Sequence, residues 1–118
     1  KPRIDYDLLE KHNEGVIALS ACLGGVYAGC YWQNREEGSD AVLNSMREVT
    51  DRMLSIFGDR WYPEVQWNAV PEQHELNQFI IQIVEEYNLI IQLQLLGKTE
   101  NFINVLVGLV VVNLNGLT

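Results

Sequence analysis

Basic residues, histidine and cysteine are scarce in this chain. Its 118 residues carry 8 Lys and Arg against 16 Asp and Glu, a formal net charge of −8 with a pI near 4.6. Surfaces that grip phosphates are normally basic, so this balance argues against direct nucleic-acid binding by the chain itself. Two cysteines, Cys22 and Cys30, are too few for a secreted disulfide framework, and no charged-then-apolar leader stands at the start, so a reduced, cytoplasmic setting is expected. No Asp or His occurs after Leu89, which removes residues 90–118 as a source of those metal ligands. A membrane span is excluded as well. The apolar stretch 102–117 is shorter than the ~20 residues needed and is interrupted by Asn104, Gly108, Asn113, Asn115 and Gly116.

What is present is an alternation of short apolar runs with amphipathic segments. Residues 5–12 predict a short helix with Asp5 as its N-cap and Leu8 and Leu9 as its apolar contacts, ended by Asn13 and Gly15. Residues 16–20 predict a short buried strand. Tyr27, Tyr31 and Trp32 recur at roughly helical spacing ahead of Glu36 and Glu37. That pattern suits a helix packed on a core better than a base-stacking platform, which would want basic neighbours. Residues 39–57 give the clearest helix: Val42, Met46, Val49, Met53, Ile56 and Phe57 fall on one face, with Ser39 to cap its start and Gly58 its end. Residues 61–67 alternate as a strand, Trp61, Pro63, Val65 and Trp67 on one side and Tyr62, Glu64 and Gln66 on the other. Pro71 opens a second amphipathic helix through Tyr87, with Leu76, Phe79, Ile80, Ile83 and Val84 as its stripe. His12 and His74 both lie on polar faces and read as solvated residues. Strand, helix, strand, helix is the order of an α/β fold.

Chemistry concentrates at Ser20-Ala21-Cys22-Leu23-Gly24-Gly25, a small-residue turn directly after the first strand. It places a thiol at a strand's carboxyl end, where α/β proteins build their sites. A cysteine beside a strand also packs as a small apolar residue, so the position alone leaves both roles open. Glu64 is the second candidate; a carboxylate within a strand either points into a polar site or faces a neighbouring Arg.

The run Pro2-Arg3-Ile4-Asp5, Leu8-Leu9-Glu10-Lys11 and Glu14-Gly15-Val16-Ile17-Ala18-Leu19-Ser20-Ala21-Cys22-Leu23-Gly24-Gly25 resembles the second half of a polymerase-and-histidinol-phosphatase (PHP) domain. The branch it is similar to is that of the bacterial DNA polymerase III alpha subunits. Ile56-Phe57-Gly58-Asp59-Arg60-Trp61-Tyr62 with Glu64-Val65-Gln66, and then Glu85-Glu86-Tyr87-Asn88-Leu89, agree with the same family in the same order. The resemblance implies a partial PHP-type distorted (β/α)7 barrel over residues 1–90, with short strands alternating with amphipathic helices. It implies Cys22 as a metal ligand, with Glu64 a weaker candidate, and a divalent zinc, manganese or magnesium ion as cofactor. The parent it implies is a DNA-directed DNA polymerase working with template-primer DNA, deoxynucleoside triphosphates, a separate exonuclease and a sliding clamp. The PHP part would be either a metal-dependent 3′ to 5′ proofreading exonuclease or a structural platform. A smaller PHP phosphoesterase acting on monoesters and a non-catalytic interaction module are the alternatives. The Pro2-Arg3-Ile4-Asp5 and Phe57-Gly58-Asp59-Arg60 segments favour the polymerase branch. Since the chain is about half the length of a complete PHP domain and begins inside the family pattern, it reads as a fragment with an incomplete metal site.

Residues 91–118 depart from the pattern. The family continues after Leu89 into a strand and an Asp-x-His motif, whereas this chain reads Ile91-Gln92-Leu93-Gln94-Leu95-Leu96-Gly97. Gly97 to Gly108 can be produced, with a permitted codon choice at every position, by translating a Trp-Lys-Asp-Arg-Glu-Leu-Tyr-Lys-Arg-Leu-Gly-Trp segment one nucleotide out of frame, and that segment resembles the family sequence downstream of the motif. The expectation is an atypical apolar tail, produced by a frameshift with an accompanying deletion, whose β-branched, uncharged run is prone to aggregate. Sequencing the coding DNA and its flanks checks this: a restored frame should encode the family segment. An intact frame with a natural stop in near relatives would refute it.

Overall fold

The computed structural model describes residues 4–95, with the side chains of Gln94 and Leu95 outside the description. The frameshift expectation, which concerns residues 97–108, therefore lies outside the described residues. Helix α1 (Tyr6–His12) starts where expected: the Asp5 carboxylate accepts from the Leu8 N–H at 2.9 Å. Only one of its two leucines packs, Leu9 against the core, while Leu8 is exposed. Strand β1 (Ala18–Leu19) follows, then α2 (Val26–Asn34) and a 3-10 turn (Arg35–Glu37). Helix α3 (Ser39–Phe57) has the predicted bounds, but its cap differs. Gly38, at φ +108, occupies the N-cap position and Ser39 is the first helical residue, because only glycine enters that backbone region freely. Gly58 ends the helix at φ +57. After a 3-10 turn (Gly58–Arg60) come β2 (Trp61–Tyr62), β3 (Glu64–Trp67), α4 (Pro71–Tyr87, with Pro71 in its first turn) and β4 (Gln92–Leu95).

Among the described residues the strand pairing is parallel, in two two-stranded sheets. Ala18 and Leu19 lie beside Trp61 and Tyr62, and residues 64–67 lie beside residues 92–95. The alternation of short strands with helices is that of an α/β fold. The expected single strand over residues 61–67 is divided at Pro63, which has no N–H to give to a ladder. Its two halves take different partners. Successive backbone pairs in a strand face opposite edges. The Pro63 carbonyl accepts from the Gln92 N–H at 2.9 Å, so Pro63, Val65 and Trp67 face β4 while Tyr62, Glu64 and Gln66 face the β1 side.

That second edge is closed largely by side chains. The Ser20 N–H still reaches the Tyr62 carbonyl at 3.3 Å, but the chain then turns away, and the predicted strand over residues 16–20 is only Ala18–Leu19. The Ser20 hydroxyl accepts from the Glu64 N–H at 2.7 Å. One step further, the Asn77 amide of α4 takes both backbone groups of Gln66: its oxygen accepts from the N–H at 3.3 Å and its nitrogen donates to the carbonyl at 2.8 Å.

The core gathers Tyr27 and Tyr31 from α2, Val42, Met46, Met53, Ile56 and Phe57 from α3, Trp61 and Val65 from the strands, and Leu76, Phe79, Ile80, Ile83 and Val84 from α4. Trp67, expected on the same side as Val65, is 60% exposed and forms a T-shaped pair with the exposed His74 ring, with 5.6 Å between ring centroids. Trp32 is likewise largely exposed, its indole N–H bonded to the Leu23 carbonyl at 3.0 Å. Inside the core a directed chain of polar groups is satisfied. The Thr50 hydroxyl donates to the Met46 carbonyl at 2.7 Å, so Tyr27 donates to Thr50 at 2.7 Å and accepts from the Trp61 indole at 3.2 Å. Arg60 ties the loop after α1 to the end of α3, donating to the backbone oxygens of Asn13, Val16 and Ile56 and to the Asn13 side chain.

Removing Asn77 takes away the side-chain amide that bonds both backbone groups of Gln66, at ~1 to 3 kcal/mol for each bond that nothing replaces. Asn77→Ala should lower the unfolding free energy by about 2 kcal/mol or more in urea denaturation. Asn77→Asp should not restore it, because a carboxylate cannot donate to the Gln66 carbonyl. Wild-type stability in either variant would contradict the edge-closing role.

Candidate functional site

Cys22 lies in the turn that leaves β1 at its carboxyl end. Three local features set that turn. Ala21 adopts φ +63, a left-handed conformation that costs a non-glycine residue roughly 1 kcal/mol. The Gly25 N–H donates to the Cys22 carbonyl at 2.8 Å. A Cβ at Gly25 would come within 2.0 Å of the Ser20 carbonyl oxygen, so no other residue fits there without displacing the backbone. Position 25 is glycine because of this close approach; its own φ of −87° is open to any residue. The thiol that results is exposed, and its sulfur accepts the Gly24 N–H at 3.4 Å. Of the two roles the sequence left open, packing as a buried apolar residue falls to the other cysteine. Cys30 is 4% exposed, and burial raises its pKa.

Glu64 opens β3 at the level of Ser20, and is 3% exposed. Among the described residues no arginine is bonded to it. Its carboxylate accepts from the Gln66 side-chain amide at 2.7 Å. Burial raises its pKa above the usual carboxylate range, and the Gln66 hydrogen bond partly offsets this. Of the two alternatives, a polar site or a neighbouring Arg, the partner found is a neutral amide, because residues two apart in a strand share a face, which puts the Gln66 side chain beside Glu64.

The strand ends therefore bring the Cys22 turn and Glu64 to the same part of the fold, where Ser20, two residues before Cys22, is bonded to the Glu64 backbone. They do not assemble a metal centre on their own. Among the described residues no group of three His, Cys, Asp or Glu lies close enough to hold an ion, and His12 and His74 are exposed on helix surfaces. As described, the donor set does not fit a metal.

Sequence reading missed three polar residues that build this region: Ser20, Gln73 and Asn77. Ser20 is 2% exposed, Gln73 1% and Asn77 8%. The signal for two of them was available. Gln73 and Asn77 sit three or four residues before Leu76 and Ile80 and so on the buried stripe of α4, and a polar residue on such a stripe implies a polar group to be satisfied opposite it.

The PHP domain family matches residues 1–68. The DNA polymerase III subunit alpha of Aquifex aeolicus is 44% identical over 88 residues, covering 75% of this chain and 7% of that protein. The protein of the same name from Thermus aquaticus is 40% identical over 89 residues, again 75% and 7%, and that from Deinococcus radiodurans 39% over 80 residues, 68% and 6%. The chain thus spans less than a tenth of the length of these relatives.

The turn geometry makes opposite forecasts for neighbouring positions. Gly25→Ala should destabilise by about 1 to 3 kcal/mol, as overpacking against backbone does. Ala21→Gly, which relieves the left-handed residue, should be neutral or stabilising by up to about 1 kcal/mol. Thermal unfolding of the two variants beside the wild type checks both; equal effects would show that the turn is not set this way.

Proposed function

The chain belongs to the PHP domain family, and on that premise we propose that it is part of the PHP domain of a replicative DNA polymerase III alpha subunit, in which this part serves as a structural platform. The parent would extend a primer on template DNA from deoxynucleoside triphosphates in the cytoplasm, alongside a separate exonuclease and a sliding clamp. The whole domain would be a distorted (β/α)7 barrel. The observation that carries the platform reading is Glu64. Its carboxylate is buried, held by the Gln66 amide and pushed toward its neutral form, an arrangement suited to support and poorly suited to binding a cation. The net charge of −8 agrees, since it favours a protein partner over DNA phosphates.

A second reading is favoured by Cys22: an exposed thiol at a strand's carboxyl end, with a backbone N–H on its sulfur. In that reading the domain is a metal-dependent 3′ to 5′ exonuclease and Cys22 supplies one ligand of a site completed by residues from other parts of the parent protein. Thiolate ligation favours zinc, and carboxylate ligands suit manganese or magnesium.

Elemental analysis of the chelator-washed chain, reconstituted with zinc or manganese and compared with Cys22→Ser, tests the platform reading. The platform reading expects no stoichiometric metal in either protein. One equivalent bound by the wild type and lost in Cys22→Ser would overturn it in favour of the exonuclease reading.

A further inference from the structure

The orientation of one buried amide is dictated from a distance. The polarity of the Gln66 backbone fixes Asn77: its oxygen must face the Gln66 N–H and its nitrogen the Gln66 carbonyl. The Asn77 oxygen also accepts the Gln73 Nε2 at 2.8 Å, so Gln73 must present its NH2 group there and cannot be turned over. Its Oε1 then points elsewhere. Gln73 is 1% exposed, and Oε1 has no hydrogen-bond partner among the described residues. Leaving a buried carbonyl oxygen unsatisfied is costly, and such groups are nearly always paired.

We propose that Gln73 Oε1 is the anchor of a bound structural water at the first turn of α4. The position suits a water better than a deeper one would. Gln73 lies in the first turn of α4, where its chain neighbours are half-buried Glu72 and exposed His74, and its Oε1 is a buried acceptor of the kind that ordered waters satisfy. The water completes a relay that runs through Gln73 and Asn77 to the edge of β3. It makes the first turn of α4 part of what holds that strand.

A high-resolution crystal structure of the 118-residue chain tests this directly. An ordered water at about 2.8 to 3.0 Å from Gln73 Oε1 is expected. A protein donor at that atom, or a dry site, would overturn the proposal. In solution, magnetic relaxation dispersion of the water nuclei should report one fewer long-lived water in Gln73→Met than in the wild type, and an unchanged count would also overturn it. If Gln73→Met fails to fold, the wild-type crystal structure decides alone.

Discussion

The structure depends on one extended stretch, residues 61–67, being hydrogen-bonded along both edges although neither neighbouring strand runs its full length. β1 covers the first half on one side and β4 covers the second half on the other. Pro63 stands at the changeover, and its missing N–H costs nothing there because its carbonyl alone is needed by Gln92. Where β1 stops, the edge would expose the backbone groups of Glu64 and Gln66 inside the protein. Ser20 and Asn77 occupy that place with side chains.

The departure of the chain from β1 is what creates both the need and the site. Ala21 in its left-handed conformation and Gly25 packed on the Ser20 carbonyl turn the backbone away after one last pairing, and the same turn lifts Cys22 into solvent. Glu64 is carried inward because it sits on the strand at the point where that turn begins. An exposed thiol and a buried carboxyl thus follow from one backbone event. The helices behind them are fixed by apolar packing and by the Trp61, Tyr27, Thr50 and Met46 chain, which joins β2, α2 and α3.

Much of the fold was legible in the sequence. The bounds of α3 and α4 follow from long apolar stripes ended by Gly58 and opened by Pro71, signals that are local and therefore readable. The strands at residues 16–20 and 61–67 were located but not their lengths or breaks, since two-residue strands are defined by what lies across from them, and β4 was not expected at all. Glu64 and Cys22 were identified as candidates from strand-end placement and family resemblance. Their surroundings were not, because the partner of Glu64 depends on which face Gln66 shares, and the exposure of Cys22 on how the turn packs. The roles of Ser20 and Asn77 were beyond periodicity alone: they appear only once the open edge of β3 is known.

Amide hydrogen exchange at Glu64 and Gln66 tests the central claim most directly, because those two N–H groups are bonded to side chains where a strand would otherwise have stood. If Ser20 and Asn77 close the edge, both amides exchange as slowly as those in the middle of α4, through cooperative unfolding. Exchange at the rate of an exposed loop such as that around Asn68 would show that the edge is open, and the account of the fold would fail at its central point.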